Sequence, residues 1–119
     1  QERSVPFKRL RHQKELAVQV KDYLKVHFRE KITLDMLADK YCISASRLRN
    51  IYREQMGVTI IADLTAIRIS EAKRMIRENN LTFTQIAEAV GYNNIYYFST
   101  QFKKCTGMTP TEYSRSLRI

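Results

Sequence analysis

An internal repeat is the strongest constraint on what this chain can fold into. The segment that begins at Leu37, LADKYCISASRLRNIYREQMGVT, aligns with the later segment IAEAVGYNNIYYFSTQFKKCTGMT. Ala38 and Ala87 lie 49 positions apart, whereas Leu48 and Phe98 lie 50 apart, so the second copy has one extra residue between these points. A repeat of this kind predicts that one supersecondary unit occurs twice.

Each copy has the pattern of a short helix, a break and a longer helix. In the first copy Ser44 is a natural N-cap for a helix predicted over Ala45–Met56. In the second copy Gly91 suits the turn because it has no side chain, and Asn93 or Asn94 can cap the helix that follows. A small alanine in each short helix lets the two helices cross closely. The pattern therefore predicts two helix-turn-helix motifs.

The segments outside the two motifs also have helical patterns. Apolar residues between the copies predict one linking helix from about Ile60 to about Glu78. Such a helix would be roughly 28 Å long, close to the ~34 Å between successive major-groove faces of B-DNA. Apolar spacing over residues 16–28 predicts an amphipathic helix before the repeat, and the Thr-Pro-Thr-Glu run from Thr109 is a capping box with proline at the first helical position.

The predicted fold is all-α, with seven helices that form two helix-turn-helix subdomains joined by a long linking helix. The first dozen residues are rich in Arg and Lys and are predicted to be a linker from a missing N-terminal domain. Because the first residue is Gln1 and not Met, we expect a fragment of a longer protein. The predicted domains are a basic linker at 1–14, the first helix-turn-helix subdomain at 15–58, the linking helix at 59–78 and the second subdomain at 79–119.

The net charge of +9 favours a polyanionic partner, because cations that replace condensed counterions gain entropy on binding. Nucleic acid is the first candidate and an anionic membrane surface the second. The chain has no apolar run of the ~20 residues needed to span a bilayer and no signal-peptide pattern, so the cytoplasm is the expected location and no membrane partner is expected.

No pattern in the sequence predicts an enzyme, a metal site or a cofactor. There is no glycine-rich phosphate loop, and His12 and His27 lack metal-ligand spacing. Cys42 and Cys105 are too few for a disulfide framework and lack paired zinc spacing. The expected roles of these cysteines are a small residue in the first turn and boundary packing near a helix end.

The longer helix of each copy has an outward row that could read DNA bases. In the first copy Leu48, Ile51 and Tyr52 share one face, and Ser46, Arg49, Asn50 and Arg53 lie opposite at i, i+3, i+4 and i+7. Arginine can form a bidentate contact with guanine, and asparagine with adenine. Adding 50 maps this row onto Tyr96, Ser99, Thr100 and Lys103, with Phe98 and Phe102 at the core positions.

The second row is predicted to use apolar, hydroxyl and phosphate contacts and to discriminate bases less sharply than the first. Tyr96 should project outward, whereas Tyr97 is predicted to pack, with its hydroxyl reaching solvent or a phosphate. Ile95 can pack beneath the turn or meet a thymine methyl group, and both interpretations stay open.

The segment RISEAKRMI, followed by IAEAVGYNNIYYFSTQFKKCTGMTPTEY, resembles the signature region of the AraC/XylS family of bacterial transcription regulators. The resemblance covers about a hundred residues from Leu16 onward. It implies a DNA-binding transcription regulator, expected to be an activator, whose two helix-turn-helix subdomains enter neighbouring major grooves. The implied partners are double-stranded DNA, RNA polymerase and a missing N-terminal effector or dimerisation domain.

The resemblance also assigns site residues. The base-contacting positions fall on Ser46, Arg49 and Asn50 in the first copy and on Ile95, Tyr96, Ser99 and Thr100 in the second. The predicted phosphate contacts are Arg47, Arg53, Tyr97, Lys103 and Lys104. The sequence departs from the family at Thr100, where arginine is frequent, and at residues 60–63, where Pro-x-x-Tyr is usual.

Two other functions fit the charge. A cationic protein-interaction or membrane-surface module would concentrate its cations on one long amphipathic helix, whereas here they are divided among both copies, the linking helix and the linker. A sequence-blind architectural DNA binder is the other alternative, and it would select no preferred site from random DNA.

Overall fold

The computed structural model of the protein describes residues 4–118, with side chains from residue 10 onward. Over this range the chain forms seven helices and no strand, so the predicted all-α class is confirmed. The helices are α1 (Ser4–His27), α2 (Leu34–Lys40), α3 (Ala45–Met56), α4 (Ile60–Glu78), α5 (Phe83–Ala89), α6 (Ile95–Thr106) and α7 (Pro110–Ser116).

The chain divides into two compact units. Within the described residues, the first contains residues 4–27 together with Ile32–Leu64, and the second contains Phe28–Lys31 and residues 65–118. The division therefore falls inside α4, whereas the sequence predicts boundaries at 58 and 78. Since α4 supplies buried side chains along most of its length, each unit includes part of it.

Helix α1 begins earlier than the sequence indicates. It contains residues 4–14, for which a basic linker is predicted. This stretch has no glycine, and its one proline, Pro6, lies in the first turn, where proline is tolerated. A helix can serve as a connection to another domain, so the linker itself stays a prediction, and its first three residues lie outside the described part of the chain.

The first helix-turn-helix consists of α2 and α3, and α1 packs against α3. In the turn, Cys42 has a positive φ of 56° and the amide of Ile43 donates to the carbonyl of Ala38 at 3.0 Å. The predicted cap of α3 is confirmed, because Ser44 Oγ accepts a hydrogen bond from the Arg47 amide at 3.2 Å. The core of these helices comprises Ala17, Val20, Leu24, Leu37, Ala38, Leu48, Ile51 and Tyr52.

The second helix-turn-helix, α5 and α6, has the same local geometry. Gly91 has a φ of 103° in the turn, and the amide of Tyr92 donates to the carbonyl of Ala87 at 2.8 Å. Of the two predicted caps it is Asn94 that caps α6, because its Oδ1 accepts from two amides of the first turn. The core of these helices comprises Ile86, Ala87, Val90, Tyr92, Phe98 and Phe102.

Arg68 of α4 holds the second unit together. Its Nε donates to the carbonyl of Phe28 at 2.8 Å, and a terminal guanidinium nitrogen donates to the carbonyl of Glu30 at 2.9 Å. Its Cζ lies 5.5 Å from the ring centroid of Tyr92, a cation–π contact. Burial of this side chain lowers the pKa of its guanidinium group. These bonds explain why Phe28–Lys31 belongs to the second unit.

The first copy lacks the Pro-x-x-Tyr motif that is usual in the family, and a different contact takes the place of its tyrosine. In the second copy the rings of Phe102 and Tyr113 meet edge to face, with centroids 5.6 Å apart. At the equivalent positions of the first copy, the hydroxyl of Tyr52 donates to Asp63 Oδ2 at 2.5 Å. Burial and this hydrogen bond raise the pKa of Tyr52. A hydrogen bond in one copy thus replaces an aromatic contact in the other.

Candidate nucleic-acid interface

Helix α3 has one buried and one exposed face. Leu48, Ile51 and Tyr52 are at most 5% exposed, so they fix the rotation of the helix in the first unit. The four residues of the predicted outward row are all exposed: Ser46, Arg49, Asn50 and Arg53. We call this row, with the neighbouring exposed Arg47, the first reader.

The cations of the first reader have no partner within the described part of the protein. Arg47, Arg49 and Arg53 form no side-chain hydrogen bond or ion pair with residues 10–118, where side chains are described. Other arginines are paired: Arg74, for example, binds Glu71 with a nitrogen to oxygen distance of 2.6 Å. The unpaired guanidinium groups can therefore contact an external anion without breaking an internal ion pair.

Helix α6 presents a different exposed face. The second reader comprises Ile95, Tyr96, Tyr97, Ser99, Thr100, Lys103 and Lys104. Phe98 and Phe102 are fully buried and fix the rotation of the helix in the second unit. Tyr96 is 82% exposed, so its predicted outward position is confirmed. Ile95 and Ser99 lie at the edge of the exposed face and are half-buried, whereas Thr100 and both lysines are exposed.

Tyr97 differs from its prediction. The sequence favours a packed ring, but 57% of the residue is exposed, and its ring has one tilted contact with Tyr92 at a centroid distance of 5.8 Å. The packing prediction is therefore wrong for most of this side chain. The reason is that Tyr92 fills the space beneath the turn and is itself only 7% exposed. The ring of Tyr97 is left at the surface beside it.

The start of the second reader depends on a residue whose role the sequence analysis missed. Arg68 contacts the ring of Tyr92, and that ring packs against Phe98 with centroids 5.5 Å apart. No local signal marks this role, because a polar residue beside a buried one is ordinary in an amphipathic helix and the backbone partners of Arg68 lie 40 and 38 positions away.

The histidine, cysteine and acidic residues of the described chain were considered as a metal site or as buried thiols. Across residues 4–118 no group of His, Cys, Asp and Glu side chains is arranged to hold a metal ion. None of the helices in this range is both long and apolar enough to cross a membrane. Cys42 and Cys105 are both exposed free thiols, so the expected boundary packing of Cys105 is wrong. This thiol lies on the solvent side of α6.

Two helix-turn-helix motifs, each with an exposed polar or cationic reader on its second helix, define a DNA-binding domain. The helix-turn-helix domain family matches residues 37–116. The chain belongs to the AraC family of helix-turn-helix transcription regulators, and it has the fold of that family's DNA-binding domain.

Known proteins of this family extend the comparison. The arabinose operon regulatory protein of Escherichia coli (strain K12) is 35% identical over 77 residues, which are 65% of this chain and 26% of the relative. The chain thus spans about a quarter of that relative's length. The C-terminal domain of AraT, a response regulator from Geobacillus stearothermophilus, has a TM-score of 0.82 and 32% identity, covering 85% of this chain and 84% of that domain.

A solved DNA complex has the same fold. The DNA-binding domain of AdpA, a global transcriptional factor, was solved with a target DNA. It aligns with a TM-score of 0.80 over 86% of this chain and 92% of its own, at 19% sequence identity. At this identity the likeness concerns the fold of the domain and not its individual base contacts.

Proposed function

We propose that this chain binds double-stranded DNA in a sequence-specific manner, with α3 and α6 in successive major grooves, as part of a bacterial transcription activator. The observation that carries the proposal is the exposed, unpaired row on α3. The buried face of that helix belongs to a helix-turn-helix core, which leaves the row available to a ligand. Polar groups at i, i+3, i+4 and i+7 on such a helix suit the edges of successive base pairs.

Each residue of the first reader has a proposed role. Arg49 would form a bidentate contact with the O6 and N7 atoms of guanine, and Asn50 with the N6 and N7 atoms of adenine. The short hydroxyl of Ser46 would accept from or donate to a neighbouring base. Arg53 lies at the C-terminal end of this row and Arg47 beside its start, and both would neutralise phosphates.

The second reader has a weaker set of hydrogen-bonding groups. We assign base contacts to Ile95, Tyr96, Ser99 and Thr100, and phosphate contacts to Tyr97, Lys103 and Lys104. Both lysines lie in the last turn of α6. Phosphate contacts position a protein on the duplex but carry no direct sequence information. Discrimination between bases in this groove should therefore be less sharp than under α3.

Helix α4 would set the spacing between the two readers. It is one continuous helix of 19 residues, and residues of both units belong to it. A helix of this size is about 28 Å long, similar to the ~34 Å between successive major-groove faces. We therefore infer that its length and phase determine where α6 meets the duplex once α3 has bound.

The remaining proposals concern the whole protein. Activation would require contact with RNA polymerase, and regulation would require an effector-binding or dimerisation domain in a longer parent chain. The arabinose regulator, of which this chain spans 26%, supports the presence of further domains in such regulators. The expected location of the parent protein is the cytoplasm.

The substitution Arg49→Ala tests the role of the first reader. On a duplex selected from random DNA, we expect it to weaken binding by about 1–3 kcal/mol and to relax the preference at one or two adjacent base pairs. The reason is the loss of one bidentate base contact. Electrophoretic mobility shift titrations on the selected duplex and on a scrambled duplex measure both effects. Equal losses on the two duplexes would reassign Arg49 to phosphate contact.

Lys104→Ala is the matched control for this test. It removes one exposed cation from the second reader without touching the base row. We expect binding to all sequences to weaken similarly, and the slope of log K against log salt concentration to become shallower by up to about one unit.

If the wild-type chain bound selected and scrambled duplexes equally, the sequence-blind alternative would replace the proposed function.

A further inference from the structure

The second reader lacks the two side chains to which we assign base recognition in the first reader. Positions 50 residues after Arg49 and Asn50 carry Ser99 and Thr100. Ser99 is half-buried and short, so its reach into a groove is limited. The exposed groups at the centre of the α6 face are the ring of Tyr96 and the side chain of Thr100.

The hydroxyl of Thr100 cannot donate to a base while it keeps its bond within the helix. Its Oγ1 donates to the carbonyl of Tyr96, one helical turn earlier, at 3.0 Å. This bond uses the only donor of the side chain and favours one rotamer. The exposed threonine then offers a methyl group and a hydrogen-bond acceptor.

The cap of α6 removes a further polar group from base recognition. Asn94 Oδ1 accepts from the Tyr96 amide at 2.8 Å and from the Tyr97 amide at 3.0 Å. The acceptor of this asparagine is therefore committed to the helix terminus. An asparagine needs both its acceptor and its donor for a bidentate contact with adenine, so Asn94 cannot make that contact while it caps the helix.

This face combines the apolar Tyr96 ring and Thr100 methyl with the exposed Tyr96 hydroxyl, which can donate or accept a hydrogen bond. Its apolar part has one specific partner in the major groove. Thymine presents a 5-methyl group there, whereas cytosine has only a hydrogen at that position and no purine carries a methyl group. We propose that α6 recognises thymine methyl groups through the Tyr96 ring and the Thr100 methyl, so that its half-site is rich in A·T pairs. This inference rests on the proposed DNA-binding function, and it assigns to the two readers different base chemistry.

The acceptor of Thr100 is compatible with an A·T pair but does not by itself favour it over G·C, because the amino groups of adenine and cytosine can both donate to it. Guanine presents only the acceptors N7 and O6 in the major groove, and two acceptors cannot bond to each other. The N6 amino group of adenine can donate to Thr100 Oγ1, which allows an A·T pair to satisfy both the methyl and the acceptor. A G·C pair placed under the centre of α6 satisfies the acceptor only through its cytosine amino group and offers no methyl.

Uracil substitution isolates the thymine methyl group. A duplex selected from random DNA by the wild-type chain is synthesised with deoxyuridine in place of thymidine, either in the α6 half-site or in the α3 half-site. We expect binding to weaken about fourfold for each contacted methyl group in the α6 half-site, the factor that corresponds to ~0.8 kcal/mol per buried methylene. Substitution in the α3 half-site should leave the affinity within about twofold, because polar groups read that half-site.

A double variant links the effect to the two residues. Tyr96→Ala with Thr100→Ser removes the ring, its hydroxyl and the threonine methyl but keeps the hydroxyl that bonds to the carbonyl of residue 96. Loss of the Tyr96 hydroxyl should weaken binding to the thymine and uracil duplexes alike, so the affinity ratio still reports the methyl contact. The thymine-to-uracil affinity ratio should fall to about one in this variant. In Arg49→Ala, the matched control, both affinities should drop while the ratio stays at the wild-type value.

The possible results separate this inference from the proposed function. Selection of a two-part site in which uracil is neutral under α6, or equally harmful under both helices, overturns the methyl inference and leaves sequence-specific binding in place. An unchanged ratio in the double variant also overturns it. Failure to select any site overturns both the inference and the proposed function.

Discussion

One alanine inserted between Leu64 and Thr65 of α4 is expected to abolish protection of the DNA read by α6 and to leave protection under α3 intact. The insertion advances the following chain by about 1.5 Å and rotates it by about 100°. The rotation matters more, because it turns α6 away from the groove that follows the one read by α3. Loss of the coupled second contact should lower the affinity by on the order of 100-fold.

The place of this insertion follows from the division of the chain. Residues up to Leu64 belong to the first unit and those from Thr65 to the second. An insertion farther along, near Ser70, would instead separate Ile69 from Ala72, both buried in the second unit. At the unit boundary, the insertion separates no two buried residues of α4 that belong to the same unit, and it strains only the Phe28–Lys31 segment that Arg68 holds. Circular dichroism should therefore show unchanged helix content.

A four-residue insertion at the same boundary is the matched control. It restores the helical phase to within about 40° but lengthens α4 by about 6 Å. Partial recovery of the second protected region is expected if the DNA bends to follow. Hydroxyl-radical footprinting of the wild type and both insertions on one selected site measures the outcome. Two undisturbed protected grooves with the one-residue insertion would contradict the spacing role of α4.

Gly91→Ala should lower the free energy of unfolding of the second unit by about 3 kcal/mol. Gly91 has a φ of 103°, a conformation that L residues rarely adopt. An added Cβ would also lie 2.9 Å from the carbonyl oxygen of Phe28 and 3.0 Å from Nε of Arg68. Backbone strain costs about 1–3 kcal/mol, and the forced shift of the Arg68 hydrogen bond adds to it.

Gly107→Ala is the control for backbone strain alone, in the same unit. Gly107 has a φ of 83°, but an added Cβ would meet no atom within 4 Å. The expected cost is about 1 kcal/mol, because only the left-handed conformation is penalised. Hydrogen exchange of α6 amides in both variants measures the local stability. Equal destabilisation would show that crowding around Gly91 does not contribute.

Local sequence signals were sufficient to predict several elements with their ends. The bounds of α3 follow from the Ser44 cap at one end and Gly57 at the other, where φ is 78°. The repeat predicted that α5 and α6 would match α2 and α3, and both pairs have equal lengths of 7 and 12 residues. Caps and turn residues act over a few positions, which is why such features can be predicted from sequence.

Features that depend on distant contacts could not be predicted in this way. The bonds from Arg68 to Phe28 and Glu30 join residues 40 and 38 positions apart, so no local pattern places Phe28–Lys31 in the second unit. The exposure of Tyr97 depends on Tyr92 occupying the space beneath the turn. The N-terminal extension of α1 was missed because its basic composition outweighed its lack of glycine and the position of its one proline in the first turn.

The candidate site also has some features that the local sequence predicts and others that it does not. Helical periodicity was sufficient to predict the exposed row of α3, because Leu48, Ile51 and Tyr52 mark the opposite face. The hydrogen-bonding state of individual groups was not predictable from spacing. The bond from Thr100 to the Tyr96 carbonyl, for example, depends on the side-chain rotamer. The base contacts themselves remain predictions for both readers.

Selection of bound sites from random double-stranded DNA is the decisive measurement for sequence-specific reading by α3 and α6. We expect an enriched site with two clusters of preferred base pairs about 10 base pairs apart, one for each reader. The cluster under α3 should contain guanine and have the sharper preferences, and Arg49→Ala should relax one or two base pairs of that cluster without changing the other. Recovery of sequences without a common motif, or of one cluster that Arg49→Ala leaves unchanged, would contradict sequence-specific reading by α3 and α6.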